Sequence, residues 1–351
     1  MARHPNPSGS IDEHLVLTGE VKPMDVFQLL FATLIFPGLV FLTALSFLTQ
    51  YLVRKLSARM QRRMGPKYVG PVGILQPVYD FLKLLRAKEL LKTRYSMIRA
   101  AEISLLLGLS SLVASMLLLP LNVYSVGSPY DFLIFFYMAS IWPIIMIIIA
   151  SLSMPGPYTS VGVSRLLSIL TVSEPAFFTG LLVPVALASF DTNAPLMISA
   201  TAVRVVNLWM NPLTLPIMIL VTISLIVAVQ SKLMLPPFNI PEAEQEIIAG
   251  YETEFSGPLL ALAILLHDMD TVVSALAIVY LVLGGPAPFS HASIEGVLLV
   301  ILKYFLVITV ATYVKNVFGR YRIDQALVLL LKYGLMPAVI AGVLGSIYLY
   351  L

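Results

Sequence analysis

Cysteine is absent from the 351-residue sequence. The chain therefore has no disulfide bonds and no thiolate ligands for an iron–sulfur cluster or a zinc site. Charge is also scarce, because Asp, Glu, Lys and Arg make up 12% of the residues, whereas hydrophobic residues make up 58% and the mean hydropathy is +0.91. This composition excludes an ordinary soluble domain and indicates an integral membrane protein. Any redox chemistry linked to the chain is expected to reside in partner proteins.

Several other signals are missing. The sequence has no G-x-G-x-x-G or Walker motif, so a nucleotide-binding fold is not indicated. The net charge of +3 does not indicate nucleic-acid binding, because in a membrane chain the basic residues follow topology. No Ser/Gly-rich linker divides the chain, which predicts a single membrane domain over residues 1–351. Residues 1–26 lack the pattern of a signal peptide and are predicted to form an extracytoplasmic segment.

Eight apolar windows are long enough to cross a bilayer as helices of about 20 residues. They lack the two-residue alternation of a membrane β-barrel. The sequence therefore predicts an all-α integral membrane protein, a bundle of eight transmembrane helices. The windows are residues 27–52, 101–121, 131–153, 168–190, 213–235, 257–283, 294–315 and 331–350.

Basic residues are concentrated in the connections on one face of this bundle. The first connection, residues 53–100, holds twelve Lys and Arg residues, and the other connections on that face add Arg165, Lys232, Lys315, Arg320, Arg322 and Lys332. The rest of the chain contributes four. The positive-inside rule then places these connections in the cytoplasm and both termini outside the cell membrane. The basic first connection and the acidic fifth connection, residues 236–256, therefore face the same compartment.

The first connection contains turn signals followed by an amphipathic stretch. The Gly65-Pro66 and Gly70-Pro71 pairs predict tight turns. After Pro77, apolar residues recur at helical spacing opposite charged ones. This pattern predicts an amphipathic helix along the membrane surface. A simpler alternative is that the basic residues of this connection hold anionic lipid headgroups.

The fifth connection carries five glutamates in a chain that has few charges, namely Glu242, Glu244, Glu246, Glu252 and Glu254. Ionised carboxylates are costly at the edge of a membrane and suggest an ion or proton path. If residues 241–250 are helical, Glu242 and Glu246 share one face and Glu244 points elsewhere. Repulsion would then keep some of them protonated, unless arginines neutralise them. An exposed, solvated acidic run is the alternative.

Further ionisable residues fall inside the predicted spans. Glu174 lies about six residues into the fourth window, next to Pro175, which can kink the helix. It is a candidate proton-binding residue, or else an interfacial residue paired with Arg165. In the sixth window, Asp268 lies between His267 and Asp270, where a polar pocket is favoured over a metal site. Lys303 lies within the seventh window, although a lysine there could reach the membrane surface.

Three segments carry a resemblance to a known family. Residues 54–77 with Lys88-Glu89, residues 241–256 and residues 319–325 resemble, in this order, the H subunit (NADH dehydrogenase subunit 1) family of respiratory complex I and its hydrogenase relatives. The resemblance implies a membrane subunit that docks a soluble redox arm and begins a charged pathway toward antiporter-like membrane subunits. Such a chain is not catalytic by itself but belongs to a multi-subunit oxidoreductase.

The resemblance also implies roles for individual residues. Arg165 and Glu174 would form an intramembrane pair, and the five glutamates of the fifth connection would match the family's acidic cytoplasmic loop. Asp268 and Lys303, singled out by their positions inside the spans, are further candidates for the ion pathway. The basic residues would contact a partner or border a quinone chamber; with Glu89 they are Arg59, Arg62, Arg63, Lys67, Lys88, Arg320 and Arg322.

Local differences favour one branch of the family. Val53-Arg54-Lys55 replaces the Glu-Arg-Lys common in complex I, whereas residues 157–165 and Ser173-Glu174-Pro175 resemble energy-converting membrane hydrogenases and related ferredoxin-driven archaeal complexes. The expected partners are soluble iron–sulfur and hydrogenase-like large subunits, which would hold the iron–sulfur clusters and a NiFe centre, while this chain would bind no cofactor. Two alternatives stay open: a quinone-binding subunit of a complex I-type dehydrogenase and a stand-alone secondary cation transporter.

Overall fold

The computed structural model describes residues 25–91, 93–121, 130–190, 196–289 and 293–350, so that nearly all of the N-terminal segment 1–26 lies outside the described residues. Within these ranges the regular structure is helical, and eight helices are long and apolar enough to cross a membrane. The predicted all-α bundle with eight spans is confirmed. In chain order the spans are Val26–Met60, Ile98–Met116, Asp131–Leu152, Pro157–Ser189, Leu215–Lys232, Gly257–Leu281, Ile294–Val317 and Ile323–Tyr350.

The first, fourth and eighth spans extend well beyond their predicted windows on the side of the charged connections, and the eighth begins at Ile323 rather than at residue 331. The first consists of Val26–Leu34 and Leu39–Met60, and its second helix continues through Arg54 and Arg59. The fourth begins at Pro157 rather than at residue 168, because Gly156 is extended and proline is favoured in the first helical turn. Hydropathy detects only the apolar part of such helices. Arg165 is therefore a helical residue and not part of a loop.

Three helical irregularities meet near the middle of the fourth span. This 33-residue helix contains Pro175, and the third and eighth spans contain the π-helical turns Tyr137–Ile141 and Leu330–Leu335. A Cβ atom on Gly334, in the second π turn, would lie 3.7 Å from the Cβ of Ala176. The first π turn reaches the same region through Ser140, as described below. Because π turns often occur at functional sites, residues at this level of the bundle are candidate functional residues.

The sixth span lies at the centre of the bundle. Of its most apolar window, 67% is buried, compared with 22% for both the seventh and the eighth spans. The fourth and fifth spans pack closely, since a Cβ on Gly180 would lie 2.8 Å from the Leu225 side chain. The central position of the sixth span matters because it carries Asp268 and Asp270.

The first connection folds back onto the bundle. It contains the 3₁₀ turn Pro71–Gly73 and the helix Gln76–Arg86. This helix packs against the first and sixth spans; its Phe81 ring lies 5.6 Å from the ring of Phe47. Its Asp80 accepts a hydrogen bond of 2.6 Å from Arg54. The predicted location of this helix on the membrane surface stays a prediction.

Candidate functional site

The acidic fifth connection is a compact loop rather than one continuous helix. Only Glu244–Ile247 is α-helical, followed by the 3₁₀ turn Gly250–Glu252. A continuous helix over residues 241–250, the condition under which Glu242 and Glu246 would share one face, is therefore not formed. Ile248 and Gly250 adopt positive φ angles of 61° and 59°, and a Cβ on Gly250 would lie 1.7 Å from the carbonyl oxygen of Pro241. The chain folds back at this contact, so that the loop's glutamates do not share a helical face.

Two glycines fix the acidic loop against the fourth span. A Cβ on Gly162 would lie 2.3 Å from the backbone nitrogen of Tyr251, and one on Gly156 would lie 2.5 Å from Oε1 of Glu254. The Tyr251 side chain is fully buried. Because the neighbour of Gly162 is backbone, this contact requires glycine, and the loop is packed against the helix rather than being a free, solvated run.

Part of the loop faces outward and is held by arginines. Arg165 forms an ion pair with Glu246 at 2.5 Å, and Arg320 donates a hydrogen bond of 2.7 Å to the Gln245 amide oxygen. The hydrogen bond from Arg165, and then its charge, lower the pKa of Glu246. Glu244 is exposed on the same short helix. These residues join the loop to the fourth span and to the seventh connection at an accessible surface.

Another part of the loop faces inward. Tyr251 donates a hydrogen bond of 2.6 Å from its hydroxyl to Oε1 of Glu242. The Glu252 side chain is partly accessible but has protein on most sides. This burial, and then the negative charges of Glu242 and Asp268, raise the pKa of Glu252 to about 8. Burial, and then the charges of Glu242 and Glu252, raise the pKa of Tyr251 well above its usual range. Glu252 is therefore mostly protonated at neutral pH, and it can release and take up a proton at a pH close to neutral.

The inward carboxyls connect to the sixth span through Asp268. Asp268 lies within electrostatic range of Glu252 and forms a hydrogen bond with Gln50 of the first span. Arg54 and Lys315 also act on Asp268, and Lys315 acts on Glu242. Basic residues of the first and seventh spans thus lie within electrostatic range of carboxyls of the loop and of the central helix. A change of charge at one of these groups therefore changes the electrostatic energy of the others.

A buried ion pair lies deeper, between the fifth and sixth spans. Lys232 donates hydrogen bonds of 2.6 and 2.8 Å to the two carboxylate oxygens of Asp270, and its side chain has no solvent exposure. Its ammonium group also lies 5.6 Å from the centre of the Phe177 ring. Counting Lys232 among the connection charges was wrong, because it is the last residue of the fifth span and points into the bundle. In the sequence, Lys232 is marked only by its position inside the fifth apolar window, residues 213–235, and its partner is not indicated there.

Glu174 lies beside this ion pair and not beside Arg165. Its Oε2 accepts a hydrogen bond of 2.6 Å from Ser140, whereas its Oε1 is buried without a hydrogen-bond partner. Lys232 and Asp270 both act on it electrostatically. Arg165 is nine residues earlier on the same helix, about 13 Å along the axis. The structure therefore does not bring together the pair that the resemblance implies.

A small cavity of about 30 Å³ adjoins the buried ion pair. This is room for about one water molecule. Leu170 and Ile144, which line the cavity, lie one helical turn from Glu174 and Ser140, respectively. The cavity is thus lined by both members of the Lys232–Asp270 pair, whereas Glu174 and Ser140 are not among its lining residues. Its lining consists of Pro143, Ile144, Ile147, Leu166, Leu170, Lys232, Met234, Leu266, His267 and Asp270.

The remaining predicted residues lie elsewhere. Lys303 donates hydrogen bonds of 2.8, 2.7 and 3.2 Å to the carbonyl oxygens of Leu283, Gly285 and Ala287, beyond the end of the sixth span. It therefore satisfies backbone carbonyls after that helix and is not brought to the carboxyls described above. The side chains of the predicted basic surface are exposed, and these are Arg59, Arg62, Arg63, Lys67, Lys88, Arg320 and Arg322.

The first connection also touches the end of the acidic loop. A Cβ on Gly257 would lie 2.8 Å from the carbonyl oxygen of Lys88 and 2.9 Å from that of Glu89. The backbone N–H of Leu91 donates a hydrogen bond of 2.8 Å to the Ser256 hydroxyl. The basic and acidic connections are therefore neighbours in space. Over the described ranges, no group of three or more His, Asp or Glu residues is arranged to hold a metal ion.

Comparisons with known proteins agree with this architecture. A family model described as NADH dehydrogenase matches residues 32–346. Among solved structures, the chain is similar to one in the structure of the membrane-bound sulfane sulfur reductase, an archaeal respiratory membrane complex. The two chains share 22% sequence identity with a TM-score of 0.72, and the similarity covers 88% of this chain and 96% of the other. At this identity the structural similarity establishes the fold.

Proposed function

Because the chain belongs to the NADH dehydrogenase subunit 1 family and is thus a complex I-related, multi-pass membrane subunit, we propose that it couples redox chemistry in partner subunits to ion movement. In this proposal the chain anchors a soluble iron–sulfur arm to the membrane and relays its energy to H⁺ or Na⁺ translocation. The complex would be of the hydrogenase or sulfur-reductase type. The chain itself would perform no redox step.

The two-sided acidic loop is the observation that carries this proposal. Its outer residues, such as Glu246, pair with arginines at an accessible surface, and its inner Glu252 has a pKa of about 8 and faces Asp268 of the central span. A displacement at the outer surface can therefore change the surroundings of a protonatable group inside. Two populations of the loop, biased by the redox state of the partner, would suffice for coupling.

The exposed basic residues support a partner-binding surface next to this loop. Arg59, Arg62, Arg63 and Lys67 are exposed at the end of the first span, and Lys88 contacts the start of the sixth. We place this surface in the cytoplasm and both termini outside, following the positive-inside rule. A soluble subunit with a complementary acidic surface would dock here, and antiporter-like subunits would contact the membrane-exposed spans.

Two other functions make different predictions. In a quinone-binding subunit of a complex I-type dehydrogenase, this surface would form the wall of a quinone chamber. The coupling role that we propose does not require a quinone. A stand-alone cation transporter would use the carboxyls as its own substrate site and would be purified alone or as a homo-oligomer.

Purification of the native complex tests the proposal. We expect the chain to co-purify with iron–sulfur proteins, identified by mass spectrometry and by their visible absorption. Replacing Arg62 and Arg63 together by Gln should release the soluble subunits at moderate salt, because their attachment is electrostatic. The matched Arg62→Lys, Arg63→Lys variant keeps the charge and should retain them. A chain that is purified alone from gently solubilised membranes would contradict the proposal.

A further inference from the structure

Lys303 of the seventh span is held by backbone oxygens alone. Its ammonium group donates hydrogen bonds of 2.8, 2.7 and 3.2 Å to the carbonyl oxygens of Leu283, Gly285 and Ala287, which we call the carbonyl cage. These bonds use every donor of the ammonium group. Over the part of the chain that the structure describes, no carboxylate lies within ion-pair distance of this lysine. Peptide dipoles therefore stabilise the positive charge, as they do for a metal ion in a ring of carbonyl groups.

The turn that supplies these oxygens is shaped by contacts that do not involve Lys303. Gly284 and Gly285 adopt positive φ angles of 75° and 49°, which favour glycine. The N–H of Gly285 donates a hydrogen bond of 2.8 Å to the carbonyl oxygen of Val279. A Cβ on Gly284 would lie 2.5 Å from a methyl carbon of Val206, in the helix between the fourth and fifth spans. The turn therefore keeps these contacts when the lysine side chain is removed.

The chemistry of the carbonyl cage favours a monovalent cation. Carbonyl oxygens are neutral ligands, and the C-terminal end of the sixth span adds a negative partial charge. Rings of backbone carbonyl oxygens bind K⁺ by replacing its hydration shell. The Lys303 side chain is partly exposed, so that water can complete the coordination of an ion at this position. Divalent cations such as Ca²⁺ are bound with the help of carboxylates, and among the described residues none pairs with Lys303.

We infer that the carbonyl cage is a monovalent-cation site that the chain fills with its own ammonium group. Lys303 takes the place that K⁺ or NH₄⁺ would occupy, so that the cage is closed to free cations. The site lies at the end of the sixth span away from the acidic loop. The inference does not depend on the proposed function, because it concerns binding at the cage and no redox or transport step.

Removal of the lysine side chain tests this inference. Lys303→Ala leaves room for an ion in the cage, whereas the matched control Lys303→Met fills this room with an uncharged side chain of similar length. Thermal unfolding of the intact, solubilised complex is measured in potassium, ammonium and choline chloride at equal ionic strength. In choline, both variants should unfold at a lower temperature than the wild type, because part-buried carbonyl oxygens lose their donor. In potassium or ammonium, the unfolding temperature of Lys303→Ala alone should rise with the logarithm of the salt concentration.

A structure of Lys303→Ala in rubidium chloride identifies the ion directly. Anomalous scattering should place Rb⁺ where the Nζ atom of Lys303 lies in the wild type. If Lys303→Ala does not assemble, Lys303→Gln takes its place, because its uncharged amide oxygen joins the cage as a further ligand and the same potassium dependence is expected. Equal unfolding temperatures of the measured variant in potassium and choline would overturn the inference. The same potassium dependence in the wild type or in Lys303→Met would also overturn it.

Discussion

At the residue scale, the glutamates of the acidic loop differ in environment although they are alike in sequence. Glu246 is half-exposed and paired with Arg165, which lowers its pKa, whereas Glu252 is enclosed next to Glu242 and Asp268, which raises its pKa to about 8. Charge partners and burial therefore give two residues of one loop opposite protonation states at neutral pH.

The raised pKa of Glu252 predicts a pH dependence of stability. Between the ordinary pKa of 4.5 and about 8, the folded protein binds more protons at this residue than the unfolded chain does. Its contribution is fully present below pH 4.5 and decreases as the pH rises toward 8. Thermal unfolding of the complex measured from pH 5 to pH 9 should show this decrease, and Glu252→Gln should reduce it. The exposed Glu295→Gln serves as the control, and an equal pH dependence in both variants would contradict the assignment.

Tyr251→Phe should destabilise the loop. The Tyr251 side chain is buried and its hydroxyl donates to Glu242, so its removal leaves a part-buried carboxyl oxygen without this donor. We expect a loss of about 1–3 kcal/mol in the free energy of unfolding. Tyr350→Phe is the matched control, because the Tyr350 side chain is 92% exposed. Denaturant unfolding of the detergent-solubilised complex measures both, and equal stabilities would show that the hydrogen bond contributes nothing.

Single residues were also the least predictable part of the molecule. The sequence marks Glu174 and Asp268 as buried ionisable residues, but it gives no indication that Glu174 contacts Ser140 or that Lys232 pairs with Asp270, 38 residues later. Such contacts depend on how helices rotate and pack, which periodicity along one chain does not determine. The implied Arg165–Glu174 pair failed for a different reason, because both residues lie on one helix and are about 13 Å apart along its axis.

At the scale of elements, the fourth span organises the site. Its N-terminal half holds the acidic loop through Gly156 and Gly162, and its middle, at Pro175, meets the π turns of the third and eighth spans. One helix therefore contacts both the outer loop and the deep cluster. In the proposed function, movement of the loop would be transmitted along this helix to the deep cluster.

Gly162→Ala should separate the acidic loop from the fourth span. The added Cβ would lie 2.3 Å from the Tyr251 nitrogen and 2.6 Å from the Gly250 carbonyl carbon, and neither backbone atom can move alone. We expect weaker retention of the soluble partners and a lower unfolding temperature. Gly342→Ala, where the nearest atom is a Val183 methyl at 3.6 Å, is the matched control. Equal behaviour of both variants would show that the close contact is dispensable.

Long apolar elements were predictable, whereas irregular ones were not. Eight windows of apolar residues correspond to eight observed spans, because a bilayer imposes length and composition on each. A helix over residues 241–250 was the condition for a shared face of Glu242 and Glu246, with Pro241 at a favoured first helical position. Positive φ angles at Ile248 and Gly250, and the contact between Gly250 and Pro241, override that preference. The π turns at Tyr137–Ile141 and Leu330–Leu335 have no counterpart in hydropathy.

At the scale of the whole molecule, ionisable residues extend from an accessible surface to the bundle interior. The order is Arg165–Glu246 at the surface, Glu252 with Asp268 beneath it, and the Lys232–Asp270 pair beside Glu174. Three spans, the fourth, fifth and sixth, supply the deep residues. Buried charges are costly in a membrane, and their recurrence at these depths is the reason for which we propose that the chain takes part in ion movement.

The most direct measurement is the number of ions translocated per electron in vesicles that contain the intact complex. Electron transfer and ion uptake are recorded together for the wild type, Glu252→Gln and the exposed control Glu295→Gln. The account predicts that Glu252→Gln continues to transfer electrons while its ion uptake falls to background, and that the control keeps both. An unchanged ratio of ions to electrons in Glu252→Gln would contradict the claim that the acidic loop couples the redox arm to the ion path.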